Sequence, residues 1–462
     1  MKKTAIRLIC LVIILFPLPV WADDPAAKES DPFSRSEEDM FSNSTSVEAV
    51  EGFKDNTITD KFDQGTFGFS GELKGTAGYT FATDRAKVDT SVYGHTDAHA
   101  ITLDGDILFD ARWRYGIKFF SDVYLTYTPV KETGRDDRFL SDEEDDYDTI
   151  VREAFGDVNI ARKVYFRIGK QTLKWGKGYF WNPTDLISTD KKDFNDIEAR
   201  REGADGIKMQ VPFGTGHNLY SFIDTTDTDE YSDSAFAGKV EFLVLDNTEL
   251  SFSAWTKKAY QPVYGFDFST YGFDTQWRGE LSLSKGGNRH YLVNENGTWV
   301  DQYDPDEMIV QMVWGFTKKV DIGDITDRLS LTGEFLINPK GYEENMLART
   351  PLTLPGGTQM TGVTLRELFL SKYYTPNYYG KTYAAFFASY SHLLDMSDLT
   401  ISANGIANIS DGSSVIATNL NYSLTFDTLL TLTVSTNLGP HDREYTFTGN
   451  LGRVEGSFTM TF

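Results

Sequence analysis

From Thr66 to Phe81 every odd position is apolar, aromatic or glycine: Phe67, Phe69, Gly71, Leu73, Gly75, Ala77, Tyr79 and Phe81. No even position in that stretch carries a large hydrophobe. A helix repeats its apolar face every 3.6 residues, so this period of two specifies an extended strand. Its length is well beyond the roughly five or six residues of an ordinary globular strand. The pattern recurs. Ile101, Leu103, Ile107, Phe109, Ala111 and Trp113 alternate with Thr102, Asp104, Asp106, Asp110, Arg112 and Arg114. Past Tyr115-Gly116, Ile117, Phe119, Val123, Leu125 and Tyr127 oppose Lys118, Asp122, Thr126 and Thr128. Further on, Ile416, Leu420, Tyr422 and Leu424 oppose Asn419, Asn421 and Ser423. Charged residues therefore sit in mid-strand on one face while the other face stays apolar. A soluble sandwich shows the same alternation in shorter strands. Strands of about nine to eleven residues or more, tilted, are long enough to cross a bilayer.

Bulk composition narrows the choice. The chain has 462 residues, 40% of them hydrophobic, and a mean hydropathy of −0.36. No bundle of membrane helices fits these values. A barrel does, because only alternate residues of each strand face lipid. Aromatic residues make up 14%, which suits membrane interfaces and equally an aromatic-rich soluble lectin. Lys and Arg number 44 against 68 Asp and Glu. That balance opposes a nucleic-acid partner, which needs basic patches to displace counterions. It suits acidic loops facing divalent cations and lipopolysaccharide.

Residues 1–22 have the organisation of a cleaved signal peptide. Lys2, Lys3 and Arg7 precede an apolar run from Leu8 to Phe16, and Val20-Trp21-Ala22 offers a small-residue cleavage site near Ala22. The apolar run is too short for a comfortable membrane span, and Pro17 and Pro19 interrupt its end. Cys10, the single cysteine, lies within it, so the exported chain has no thiolate for catalysis, metal binding or disulfides. Residues 23–63 are acidic and Ser-rich and read as a flexible periplasmic lead. Residues 64–462 read as an all-β transmembrane antiparallel β-barrel.

Links between the strands are lopsided. Tyr115-Gly116, Ala161–Lys163, Phe213–His217, Asp246–Thr248, Asp395–Ser397 and Asp427-Thr428 are short. The links Lys131–Tyr147, Leu173–Arg201, Gly286–Pro305 and Asn338–Gly380 are long. Outer-membrane barrels have short periplasmic turns and longer outer loops. Splitting Val263–Leu283 at Thr270–Gly272 gives about 18 strands with both ends periplasmic, and 16 is the nearest alternative. At the end of the sequence Val454, Phe458, Met460 and Phe462 share one face. A terminal strand finishing in Phe is similar to the signal by which bacterial barrel-assembly machinery recognises outer-membrane proteins.

Arg152-Glu153-Ala154-Phe155-Gly156-Asp157-Val158 is followed by Phe166-Arg167-Ile168-Gly169-Lys170-Gln171, then by Trp175-Gly176-Lys177-Gly178 and Asn182-Pro183-Thr184-Asp185. This series resembles a motif of porin-like outer-membrane families, among them the alginate-export and related porin superfamily. The resemblance implies a channel, an uptake or export barrel, without naming the solute. Independently of it, strand parity places Asp104, Asp106, Asp110, Arg112, Arg114, Lys118, Glu153, Asp157, Arg167, Gln171, Asp274, Arg278 and Glu280 on the interior face. A barrel of 16 to 18 strands leaves an aqueous lumen, in which rows of charge select among solutes or serve as ladders that stiffen the wall.

Between Leu173 and Arg201, Trp175, Tyr179, Phe180 and Trp181 form either an aromatic girdle at the outer interface or an inward-folded constriction that stacks ring-bearing solutes. The acidic run Asp136–Asp148 lacks the glycine spacing of a calcium loop and reads as a solvated loop tip. Six histidines form no His-Glu-x-x-His pattern, and no Gly-x-Ser-x-Gly elbow occurs. The reading is therefore a porin-like channel, not an enzyme, with no cofactor. Its partners are outer-membrane lipid, lipopolysaccharide, the assembly machinery and small polar solutes. The alternatives are an adhesin or structural barrel, or a barrel hydrolase.

Overall fold

The computed structural model describes residues 66–84, 97–113, 116–130, 147–185, 187, 201–214, 216–226, 228, 230–245, 247–288, 292–295, 298–301, 306–343, 351–353, 359–364, 378–425 and 427–462. The proposed signal peptide, the lead, Arg114 and most of the acidic run lie outside the described residues.

The strands, in chain order, begin with β1 (Thr66–Ala82), β2 (Ala98–Trp113), β3 (Ile117–Val130), β4 (Tyr147–Ile160) and β5 (Val164–Gln171). β6 (Ala204–Phe213), β7 (His217–Asp224), β8 (Ala235–Val244), β9 (Thr248–Lys257), β10 (Val263–Gly272) and β11 (Thr275–Lys285) follow. β12 (Leu292–Glu295) and β13 (Thr298–Asp301) form a small separate ladder, as do β16 (Pro351–Thr353) and β17 (Gln359–Thr364). β14 (Met308–Ile322), β15 (Ile325–Ile337), β18 (Thr382–Tyr390), β19 (Leu399–Asn408), β20 (Ser413–Thr425), β21 (Thr428–Leu438) and β22 (Asn450–Thr461) complete the set.

Eighteen of these strands form one antiparallel sheet, each paired with its neighbour in sequence order. The sheet closes where β1 pairs with β22 in the register Glu72↔Thr461 to Thr80↔Arg453. Gly71 and Phe462 exchange backbone hydrogen bonds of 2.8 and 2.9 Å at this seam. Closure leaves no strand edge, which is the condition for placing backbone N–H and C=O groups in lipid. The count of 18 agrees with strand parity and excludes 16.

The outward face carries the apolar set. Phe67 and Phe69 are 63% and 65% exposed, and Leu103, Phe119, Phe252, Leu432 and Phe458 are also exposed. Rings pair across strands on this face, with Phe252 and Phe266 5.2 Å apart and Trp277 stacked on Trp314 at 5.5 Å. Soluble monomers rarely expose a continuous apolar surface of this kind, whereas a barrel in acyl chains must.

Connections alternate as expected: turns 161–163, 214–216, 273–274 and 323–324 lie at one end, and links 172–203, 286–307 and 338–381 at the other. One boundary differs. β10 runs through Thr270–Gly272, and the turn falls on Phe273 and Asp274, with φ of 58° and 53°. Both central residues of a two-residue hairpin of this twist need positive φ. The aromatic alternation runs through Phe273 and hides the turn. Asp274 is consequently an exposed turn residue, not a residue of the strand wall.

Candidate functional site: a loop folded into the barrel

Register places the polar positions of β2 to β6 side by side. Asp110 receives two hydrogen bonds from Arg112, at 2.9 and 3.0 Å, and lies 3.3 Å from Lys118. Arg152 donates to both oxygens of Asp106, at 2.8 and 3.0 Å, and its guanidinium lies 3.7 Å from the Tyr124 ring centre. Tyr124 in turn donates to Asp104 at 2.6 Å. Deeper in the wall Arg167 forks onto Asp157 at 2.7 and 3.0 Å and lies over Phe155 at 3.8 Å. Its side chain is fully buried, and Lys208 stands beside it in register. Gly169 follows with φ of 123°, where a Cβ would come within 2.3 Å of the Ala154 carbonyl oxygen. Glycine at the centre of Arg-x-Gly-x-Gln is thus a backbone requirement. Gln171 is buried among carbonyls, and its Nε2 lies 3.3 to 3.4 Å from the oxygens of Arg167, Gly169 and Gly206.

After Gln171 the chain leaves the wall and turns inward. Thr172 N–H donates to Glu153 at 2.6 Å. Leu173 and Trp175 pack against Ala204, Tyr220, Phe222 and Ala237 of β6 to β8. Phe180 and Trp181 pack against Val313, Leu336, Tyr383 and Ala385 of β14, β15 and β18. A segment touching strands so widely separated around the sheet, on the face opposite the lipid-type residues, lies inside the barrel. Trp175, Phe180 and Trp181 are only 2%, 5% and 4% exposed. An interfacial girdle needs rings on the outer face, so this geometry is that of the inward-folded segment.

Carboxylates of the wall hold the segment by its backbone. Glu334 accepts from the N–H groups of Tyr179 (2.7 Å), Phe180 (3.0 Å) and Trp181 (2.9 Å). Glu280 accepts from Gly178 N–H at 2.5 Å, Asn182 Nδ2 at 3.0 Å and the Thr184 hydroxyl at 2.8 Å. Successive backbone N–H groups in a turn make an anion-binding concavity, here filled by side chains of the same chain. Arg278 Nε donates to Glu334 at 3.3 Å and balances its charge. The turn is tight: a Cβ on Gly178 would come within 1.8 Å of the Trp181 carbonyl oxygen. On the other flank, Lys239 donates to the Trp175 carbonyl at 3.1 Å and pairs with Glu241 at 3.3 Å. Lys177 pairs with Glu249 and Glu241. Burial opposes its charge, but those two carboxylates outweigh burial and raise its pKa above the ordinary lysine value.

Arg278, Glu280, Glu153, Trp175, Tyr179, Phe180 and Trp181 are thus brought together at one site. Asp104, Asp106, Asp110, Arg112 and Lys118 form a separate group on β2 and β3, and Phe458, Met460 and Phe462 are exposed on the outer face of the seam. Sequence reasoning missed Glu334, Lys208, Lys239 and Glu241. Glu334 stands alone in Gly333-Glu334-Phe335-Leu336 and Lys208 in Ile207-Lys208-Met209, while Lys239 and Glu241 alternate on one face of Gly238-Lys239-Val240-Glu241-Phe242; a charge at polar parity inside an apolar stretch is the signal that marks them. Among the described residues no group of three or more His, Cys, Asp or Glu is placed to hold a metal ion.

No family model matches the chain, and no curated protein matches it. Its fold is similar to that of solved structures. With OccAB1 of Acinetobacter baumannii it shares 11% identity, over 85% of this chain and 96% of that one, with a TM-score of 0.52. With a BenF-like porin from Pseudomonas fluorescens Pf-5 it shares 10% identity, over 87% and 99%, with a TM-score of 0.52. The likeness is one of fold: a closed, porin-like barrel.

Proposed function

We propose that this chain is an outer-membrane channel passing small polar or charged solutes, with its lumen narrowed by the segment 172–185. The observation that carries this reading is the burial of that segment inside the barrel, bound through backbone N–H groups by Glu280 and Glu334. An 18-stranded barrel is wide enough for an aqueous lumen, and a segment fastened across it limits what passes. The charged rows on β2 to β5 face the same interior, where Asp104, Asp106, Asp110, Arg112, Lys118 and Glu153 give a polar wall and the buried Asp157, Arg167 and Gln171 brace it. Export through residues 1–22, a periplasmic lead at 23–63 and recognition of Phe458, Met460 and Phe462 during assembly belong to the same reading. The motif from Arg152 to Asp185 supports a place near the alginate-export and related porin superfamily. The outer-membrane lipid and lipopolysaccharide surround the barrel in this reading, and no catalytic step is assigned to it.

The test is electrical. Purified protein added to a planar lipid bilayer should give stepwise conductance, and Glu280→Ala combined with Glu334→Ala should enlarge each step. A barrel that inserts yet stays silent at all voltages overturns the proposal. Phospholipid hydrolysis by such a silent barrel would point to a hydrolase, and binding to cells would point to an adhesin.

A further inference from the structure

Four consecutive strands of the wall, β18 to β21, contain no charged residue. Their interior positions are Asn, Ser, Thr, Ala and a few apolar residues. Register extends one of their rows well around the barrel: Thr400 faces Asn421, Asn421 faces Thr431, Thr431 faces Ser457, Ser457 faces Thr76 and Thr76 faces Thr102. All six are half-buried, so their amides and hydroxyls line the lumen without being covered. Thr431 donates to Asn421 at 2.9 Å, which orients the amide of that pair.

Four residues along β19 from Thr400, at Asn404, the same face meets an aromatic lip. Tyr179, on the inserted segment, lies 5.7 Å from Phe387 of β18. Both rings are half-exposed on the rim of the cluster that buries Phe180 and Trp181. Phe387 faces Asn404 in register, and Ser402 and Thr400 follow on the same face of β19, since alternate residues of a strand share a face. Several charges of β2 to β5 are, by contrast, paired within the wall, as Asp110 is with Arg112, Asp106 with Arg152 and Asp157 with Arg167.

We infer that the lumen binds neutral, hydroxylated ring solutes, oligosaccharides of two or more units, which stack on Tyr179 and Phe387 at one end and exchange hydroxyl hydrogen bonds with the Thr400–Thr102 row at the other. This rests on the channel reading and names its solute class. A sugar ring presents an apolar C–H face for an aromatic surface and a hydroxyl rim for amides and hydroxyls. Along β18 to β21 an ionic solute that sheds water meets no compensating charge; charges flank the site only at its ends, Arg278 at 5.8 Å from the Tyr179 ring centre and Glu455, Lys74 and Asp104 beside the far half of the row.

The experiment uses the full-length protein in a planar bilayer with maltotriose as probe, and mannitol and citrate as controls. Maltotriose is expected to block the current saturably, while mannitol, a polyol without a ring, and citrate do not. Tyr179→Ala and Phe387→Ala should each weaken the block about tenfold relative to the variant's own open current, and Tyr179→Phe, which keeps the ring, should retain it. If Phe387→Ala fails to insert, Tyr179→Ala on the inserted segment supplies the same readout. A conducting channel that citrate blocks better than maltotriose, or on which maltotriose acts no better than mannitol, overturns this inference and leaves the channel reading standing. Unchanged block in both alanine variants also overturns it. A silent barrel overturns both.

Discussion

Three backbone N–H groups converge on the single carboxylate of Glu334, and only a group with full acceptor capacity on both oxygens satisfies them. In Glu334→Gln one oxygen is replaced by an NH2 aimed at donors. Hydrogen bonds to a charged group contribute about 1.5–3 kcal/mol each, so losing part of this set should destabilise the barrel by about 2–4 kcal/mol and make the open channel noisy. Urea titration in vesicles, with single-channel recording on the same variant, checks both; unchanged stability with a quiet channel would sink the role given to Glu334. A second contrast separates paired charges by depth. Arg167→Lys keeps the charge but loses the fork onto Asp157 in a fully buried place, and should cost about 1–3 kcal/mol. Arg112→Lys, with its side chain 44% exposed, should cost less than about 1 kcal/mol. Equal losses would show that burial is not what separates the two pairs. Arg167 and Asp157 were legible in the sequence because strand parity alone assigns a face. Glu334 was not, because its partners are backbone amides 155 residues away, and no side-chain pattern records an amide.

At the scale of elements, legibility followed the periodicity. β1 and β2 alternate over 17 and 16 residues, and a register slip of one would turn charges towards lipid, so the strands and their faces could be read directly. The β10–β11 turn could not be placed as well, because Phe273 continues the aromatic alternation through it. The inserted segment has no periodicity at all, and the same rings serve a girdle or a plug. What decides between these is the pair of glutamates on β11 and β15, and their convergence exists only once the barrel is closed. The segment should accordingly be separable from the fold. Replacing residues 176–184 by a Gly-Ser linker is expected to lower stability, since Glu280 and Glu334 lose these partners, yet to leave the barrel able to assemble and to raise conductance, judged by the mobility shift between heated and unheated samples and by bilayer recording. A replaced barrel that assembles yet conducts as the parent does would show that the segment does not set the narrowest point.

The whole molecule is organised by one distinction, the two faces of a closed sheet, and adjacent residues can test it. Leu432 and Thr433 lie in the middle of β21, one exposed on the apolar outer face and the other donating inward to Asn419 at 2.8 Å. Both are uncharged, both sit in the same ladder, and propensity treats their replacement by arginine alike. The solvents they face do not. An arginine at the bilayer midplane on the lipid face of a barrel costs about 2–4 kcal/mol, while a lumen position stays in water and changes selectivity instead. Leu432→Arg is therefore expected to lose stability of that order in reversible unfolding from phospholipid vesicles. Thr433→Arg should lose only its hydrogen bond to Asn419, of about 1 kcal/mol, while shifting the reversal potential in a salt gradient towards anions. If the two variants were equally unstable, or the order were reversed, the inside and outside of the barrel would have been assigned the wrong way round, and the inserted segment, the charged rows and the neutral belt would all lose their placement in the lumen.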